Sequence, residues 1–309
     1  MASNTITNVH DGTDSAIRQV RSNAVIGHGG ASLELLKKVG GRGVEDLEFN
    51  IASSIAVTAE GEIVVADRFN LRLQYLDKDG AFMKMVDLRD LELMKLWKPE
   101  DVAALTNGEL LVTGDGHRIH VLDNEGIESR VIQVTGAAET STTTQGIAVD
   151  GLGRIIVTIG YQVFVLSPSG DVMLKFGDEG QDQQQLGPDL LVAVNSTNQI
   201  IVSDHDNHNL KVFNPDGGHL FTCGSQGPEP GQLENPRSVI TDSEDNIIVA
   251  DFYNHRVSLF SPDGKFIRHV VEEDITFSDF NPTALALTPD GHLVVSEFRC
   301  MISFFKLEG

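Results

Sequence analysis

Ile247-Ile248-Val249-Ala250-Asp251-Phe252-Tyr253-Asn254-His255-Arg256 opens with four apolar residues, three of them β-branched, and then turns polar. A short apolar run bounded by turn-forming residues reads as a strand covered on both faces. Its leading triplet recurs as Ile63-Val64-Val65, Leu110-Leu111-Val112, Ile155-Ile156-Val157, Ile200-Ile201-Val202 and Leu293-Val294-Val295. The six runs begin 47, 45, 45, 47 and 46 residues apart. Upstream of each lies another apolar run, such as Ile55-Ala56-Val57 or Ile147-Ala148-Val149, joined to it by a turn such as Glu60-Gly61-Glu62 or Asn107-Gly108. That is a hairpin signal. Downstream come a polar loop, an alternating strand, a second turn (Asp79-Gly80, Asp216-Gly217, Asp263-Gly264) and a fourth stretch such as Lys265 to Val271. Four antiparallel strands in each ~46-residue unit, repeated around a ring, make an all-β, six-bladed β-propeller. Helical periodicity is confined to a turn in Leu88 to Lys95.

The sixth unit is short of a strand, because after its third, Met301 to Leu307, the chain stops at Gly309. Ala31 to Gly40 supplies the missing one. Pairing it into the last blade closes the ring and leaves no open sheet edge. Residues 1–28 are then expected to be an unstructured linker, with the propeller over 29–309. The 309 residues carry 23 Lys+Arg against 45 Asp+Glu, a formal charge of −22. Such a field repels phosphate backbones and anionic lipid at long range, so neither DNA nor a membrane is an expected partner. A confined basic patch is still compatible with it. Two cysteines exclude a disulfide scaffold or a Cys-rich zinc module. No apolar run approaches the ~18 residues of a membrane span, and the N-terminus has no signal-type apolar core. The simplest reading is a monomeric, cytoplasmic domain.

The loops carry a family likeness. Ala66-Asp67-Arg68-Phe69-Asn70-Leu71-Arg72 returns as Ser203-Asp204-His205-Asp206-Asn207-His208-Asn209 and as Ala250-Asp251-Phe252-Tyr253-Asn254-His255-Arg256. These resemble the NHL repeat, as does the connection Cys223 to Pro236. Blades two, three and six carry shortened versions: Gly114-Asp115-Gly116-His117-Arg118, Ile159-Gly160-Tyr161 and Glu297-Phe298-Arg299-Cys300. Six such units resemble the C-terminal domain of the tripartite-motif NHL family. That resemblance implies a ubiquitin-ligase family whose propeller selects protein or RNA targets. The RING and B-box cysteines of that family are not in this sequence, so ligase chemistry would belong to a parent protein and not to these residues.

Repetition at one structural position favours a scaffold role for Asp67, Asp204, Asp251, Asn70, Asn207 and Asn254, since Asp and Asn bond backbone amides in turns. The variable residues around them, on the face shared by these loops and the inter-blade connections, form the candidate partner-binding set. The aromatic and histidine members are Phe69, Trp97, Tyr161, His205, Phe252, Tyr253 and Phe298; the arginines are Arg68, Arg72, Arg118, Arg237, Arg256 and Arg299. Aromatic residues mixed with Arg dominate interface hot spots. His205 and His208 have workable zinc spacing, but His208 and His255 share one repeat position, so no metal is expected. The first strand of each blade, which lines the channel, is almost wholly apolar, with acids only at the ends as Asp101 and Asp189. No nucleophile–base pair or ion cage follows, and neither catalysis nor a cofactor is expected. Fourteen acids and eight bases fall on the loop face. The expectation is therefore a non-catalytic platform for a protein or peptide partner, with RNA on the same face as the alternative.

Overall fold

The computed structural model describes residues 17–29, 32–90, 97–138, 143–272 and 280–307. Six four-stranded antiparallel sheets stand in a ring. Blade one is Ala52–Val57, Ile63–Asp67, Arg72–Leu76 and Phe82–Asp87. In blade six, Pro282–Leu287, His292–Glu297 and Met301–Lys306 are completed by Glu34–Gly40, which pairs antiparallel with Met301–Lys306 from Glu34↔Lys306 to Gly40↔Met301. The expected closure is observed. Gly40 ends the closing strand at φ +111°, where a Cβ would lie 2.7 Å from the Cys300 carbonyl oxygen, so a side chain there is excluded. Among the described residues no helix is long and apolar enough to cross a membrane. In the stretch Leu88 to Lys95 a 3-10 turn covers Leu88–Asp90; residues 91–96 lie outside the described set.

The core is a set of layers between neighbouring blades. In the second strand of blade one, Ile63 and Val65 pack towards blade six with Ala284 and Phe304, whereas Val64 and Ala66 pack towards blade two with Val102 and Val112. Ile247 and Val249 likewise face blade four, and Ile248 and Ala250 face blade six. Because successive side chains alternate faces and both faces are covered, the second strands must be continuously apolar. That is the physical origin of the recurring triplet.

Of the linker expected over 1–28, residues 1–16 lie outside the described set. Residues 17–29 lie across the ring on the side opposite the signature loops. The Val20 amide donates to the Ala104 carbonyl at 2.7 Å, and Arg21 Nη2 donates to the Asn195 carbonyl at 2.9 Å. Ser22 Oγ donates to the Thr288 carbonyl at 3.0 Å. Farther along, the Ile26 amide donates to Asp242 Oδ2, and the Ile26 side chain is fully buried against blades five and six. This strap touches blades two to six because the ends of the first strands present backbone groups and capping carboxylates there, the Val149 amide of blade three donating to Gln19 Oε1 at 2.8 Å. Polarity concealed it in the sequence: Ile26 is its one deeply buried anchor, and the rest is held by backbone groups and by the polar side chains of Gln19, Arg21 and Ser22.

Candidate functional site

In blades one and five the repeated loop is a clamp. Asp251 Oδ2 accepts from Arg256 Nε at 2.8 Å, and Asp251 Oδ1 accepts from the Glu234 amide at 2.7 Å. Asn254 Nδ2 donates to both Asp251 and the Gly227 carbonyl. Arg256 extends outward to the Pro228, Glu229 and Gln232 carbonyls. Asp67, Asn70 and Arg72 repeat this on Asn50, Gly43, Val44, Glu45 and Glu48. In blade four Lys211 stands in for the arginine, donating to the Asp182 and Gln185 carbonyls 3.9 Å from Asp204. The fork of a guanidinium matches several carbonyls at once, whereas an ammonium acts as a point donor. Each clamp ties the loop to the connection entering its own blade.

Four of the thirteen candidate residues are therefore interior. Arg72 and Arg256 are 7% and 5% exposed, locked in clamps. Trp97, 7% exposed, donates Nε1 to the Asp115 carbonyl at 2.8 Å and stacks edge-on against His120. Phe252, 5% exposed, packs under its neighbours. Signature-loop spacing cannot separate inward from outward residues: Arg68 and Phe252 hold the same repeat position, yet only Phe252 is buried.

The remaining residues divide by position around the ring. Over blades five, six and one stand the exposed rings Tyr253, Phe298 and Phe69, at 57%, 47% and 42%. Tyr253 and Phe298 both meet buried Phe252 edge-on, at 4.7 and 5.8 Å between centroids, and the Arg237 guanidinium lies 4.9 Å over Phe252. Arg299 is exposed beside Phe298. Phe69 sits between Arg68 and Lys98, each 5.2 Å from its ring centre. Over blades two to four, Arg118 is exposed and bonds Gln133, Tyr161 lies beside Glu179, and His205 is half-buried between Asp206 and Asn235. The structure thus gathers Tyr253, Phe298 and Arg237 around Phe252, with Arg299 next to Phe298 in the chain, places Phe69 at the joint of blades one and two, and leaves Arg118, Tyr161 and His205 apart.

Arg68 is paired with Glu100 of blade two. Desolvation outweighs the attraction of Arg68, and with the Asp189 and Asp115 charges it pushes the Glu100 carboxyl up to about 7. Neither Lys98 nor Glu100 stood out among the candidates, although both lie beside Trp97 in sequence. The channel is also less oily than expected. Asp101 lies within the first strand of blade two, not at its end, and is raised to about 6 by burial. Its carboxylate accepts from Ser54 Oγ of blade one at 2.5 Å and from the Ile147 amide of blade three at 2.8 Å. All these contacts are internal, so Asp101 joins three blades. The histidines are likewise engaged: His208 Nδ1 accepts from the Asn235 amide at 3.0 Å, and His255 Nδ1 meets the Phe280 carbonyl at 2.9 Å. Among the described residues no group of three or more His, Cys, Asp or Glu is placed to hold a metal ion.

Comparison with known proteins agrees with the loop geometry. The NHL repeat family model matches residues 192–213, the first to third strands of blade four. Protein brain tumor of Drosophila melanogaster is 32% identical over 145 residues, covering 45% of this chain and 14% of that protein. B-box type zinc finger protein ncl-1 of Caenorhabditis elegans is 30% identical over 144 residues, covering 45% of this chain and 16% of that protein. The chain matches only about a seventh of the length of these relatives. Among solved structures, a streptogramin B lyase superposes with a TM-score of 0.60 at 11% identity, over 84% of this chain and 96% of the lyase. At that identity the likeness is one of fold alone.

Proposed function

We propose, on the premise that this chain is an NHL-repeat β-propeller of the tripartite-motif NHL family, that it is a recognition platform binding a protein partner on its loop face. The observation that carries this reading is the sector over blades five and six, where Tyr253 and Phe298 are exposed around the buried Phe252 ring. Rings held by an underlying ring lose little conformational freedom on binding, which suits them as anchors. Arg237 and Arg299 border them and fix register with acidic or carbonyl groups of the partner. Any ligase activity would reside in a RING elsewhere in a parent protein.

RNA is the second reading, favoured by the ring-and-arginine composition. Against it, the cations a phosphate backbone would need are engaged: Arg72 and Arg256 in clamps, and Arg68 on Glu100. The test is a side-by-side capture with the 309-residue chain: random RNA oligonucleotides at ~100 mM salt, and a displayed random-peptide library. Peptide enrichment lost in Tyr253→Ala and Phe298→Ala, with unchanged melting, supports the protein reading. Enrichment of an RNA motif lost with Arg237→Glu and Arg299→Glu replaces it.

A further inference from the structure

On the side of the ring opposite the loop face, a groove of about 380 Å³ lies between blades one and two. Its walls come from the turns after the first strands, around Thr58 and Thr106, and from Asn124 in the next turn of blade two. Three carboxylates, Glu60, Glu62 and Glu109, line it against one cation, Lys84. Tyr75 forms the inner wall. It is 2% exposed, and its hydroxyl is buried with no hydrogen-bond partner among the described residues. A buried phenol left unpaired costs free energy, so a polar group brought to it is stabilised there.

The groove already seats one cation. Lys84 Nζ lies 4.4 Å from the Tyr75 ring centre and donates to the Asn124 carbonyl at 2.9 Å. The carboxylates are spread around the groove and do not converge as a metal cage would, and no metal-holding group occurs among the described residues. The backbone of Arg18 passes one edge of the groove, where its carbonyl accepts from the Thr106 amide at 2.7 Å. Dispersed carboxylates, a ring face and a free hydroxyl together suit an ammonium or guanidinium on a flexible arm.

We propose that this groove is a second binding site, which takes a lysine or arginine side chain of a basic peptide segment in a partner protein. The incoming cation displaces Lys84 from the Tyr75 ring, sits among Glu60, Glu62 and Glu109, and brings a peptide carbonyl to the Tyr75 hydroxyl. This site is on the opposite face from the platform and stands or falls independently of it.

The test uses the 309-residue chain and a fluorescein-labelled hexalysine peptide, read by fluorescence anisotropy. Glu62→Gln with Glu109→Gln is expected to weaken binding about tenfold, the effect of losing close charge pairs. Tyr75→Phe is expected to weaken it about threefold with unchanged melting, and Lys84→Ala to strengthen it by a similar factor. A control pair on the loop face, Glu179→Gln with Glu229→Gln, makes the same change in net charge and is expected to stay within about twofold of the parent. Equal losses from both pairs would mean diffuse attraction to an acidic protein and overturn the proposal. So would full affinity in a folded Tyr75→Phe variant.

Discussion

Blades five and three are built from the same four strands, yet only blade five has a signature loop that reaches beyond its own sheet. In blade three, Ile159 pairs with Gln162 across Gly160-Tyr161, and the turn carries no clamp, only the exposed contact of Tyr161 with Glu179. In blade five, Asp251, Asn254 and Arg256 hold five backbone groups between Gly227 and Glu234. The strands alone are enough to make a blade; the loop makes the joint through which the chain enters it. Blade two, which also lacks the clamp, is joined differently, by Glu100 to Arg68 and by Asp101 to Ser54 and Ile147.

The difference between the two kinds of joint can be broken by mutation. Asp251→Ala strands the buried Arg256 without its counter-ion, and a loss of about 3–5 kcal/mol in unfolding free energy is expected. Urea denaturation measures it, and a loss below about 1 kcal/mol would show the clamp to be ornamental.

The acid-based joint of blade two should show itself in pH dependence. Burial holds Glu100 at about 7 and Asp101 at about 6, both above ordinary carboxyl values. Each therefore binds its proton more tightly in the folded state, so the stabilisation is full below the unfolded values and is lost as pH rises through 6 to 7. Unfolding free energy is expected to fall by on the order of 2 kcal/mol more between about pH 5 and about pH 8 in the parent than in Glu100→Gln. Parallel pH curves for the two proteins would contradict this.

Lys211→Met sharpens the contrast within the clamped blades. Asp204 keeps its bonds from Asn207 and the Gly187 amide, so a smaller loss of about 1–2 kcal/mol is expected. At the weakly fastened extreme, Tyr161→Ala in blade three removes only an exposed contact with Glu179 and should change stability by no more than about 0.5 kcal/mol. Thermal melts of the two variants, run together, give the ranking directly.

Much of this was legible in the residues. Ile63-Val64-Val65 and its five counterparts announce the blades, because a strand covered on both faces has no polar side to show. The scaffold role of Asp67, Asp204 and Asp251 could also be read, since repetition at one position marks a common contact; all three are fully buried. Arg72 and Arg256 were harder. As residue types they suit an interface, and nothing in their neighbours reveals that the carbonyls they serve lie 24 to 28 residues upstream. The strap was hidden for a related reason: it holds on through backbone groups and polar side chains such as Gln19, Arg21 and Ser22, whose partners lie far away along the chain.

What the sequence by itself determined is the ring: the number of blades, their strands and the closure by Glu34–Gly40 all follow from apolar periodicity, a property of neighbouring residues. What the tertiary structure decided is which side chains are available. Phe252 and Tyr253 are adjacent in the chain, yet one is buried and the other is 57% exposed. Arg68 is half-buried against Glu100 while Arg72 is buried in its clamp, because burial depends on what the neighbouring blade and its connection bring against each residue. Those contacts span long separations along the chain, and local patterning carries no record of them.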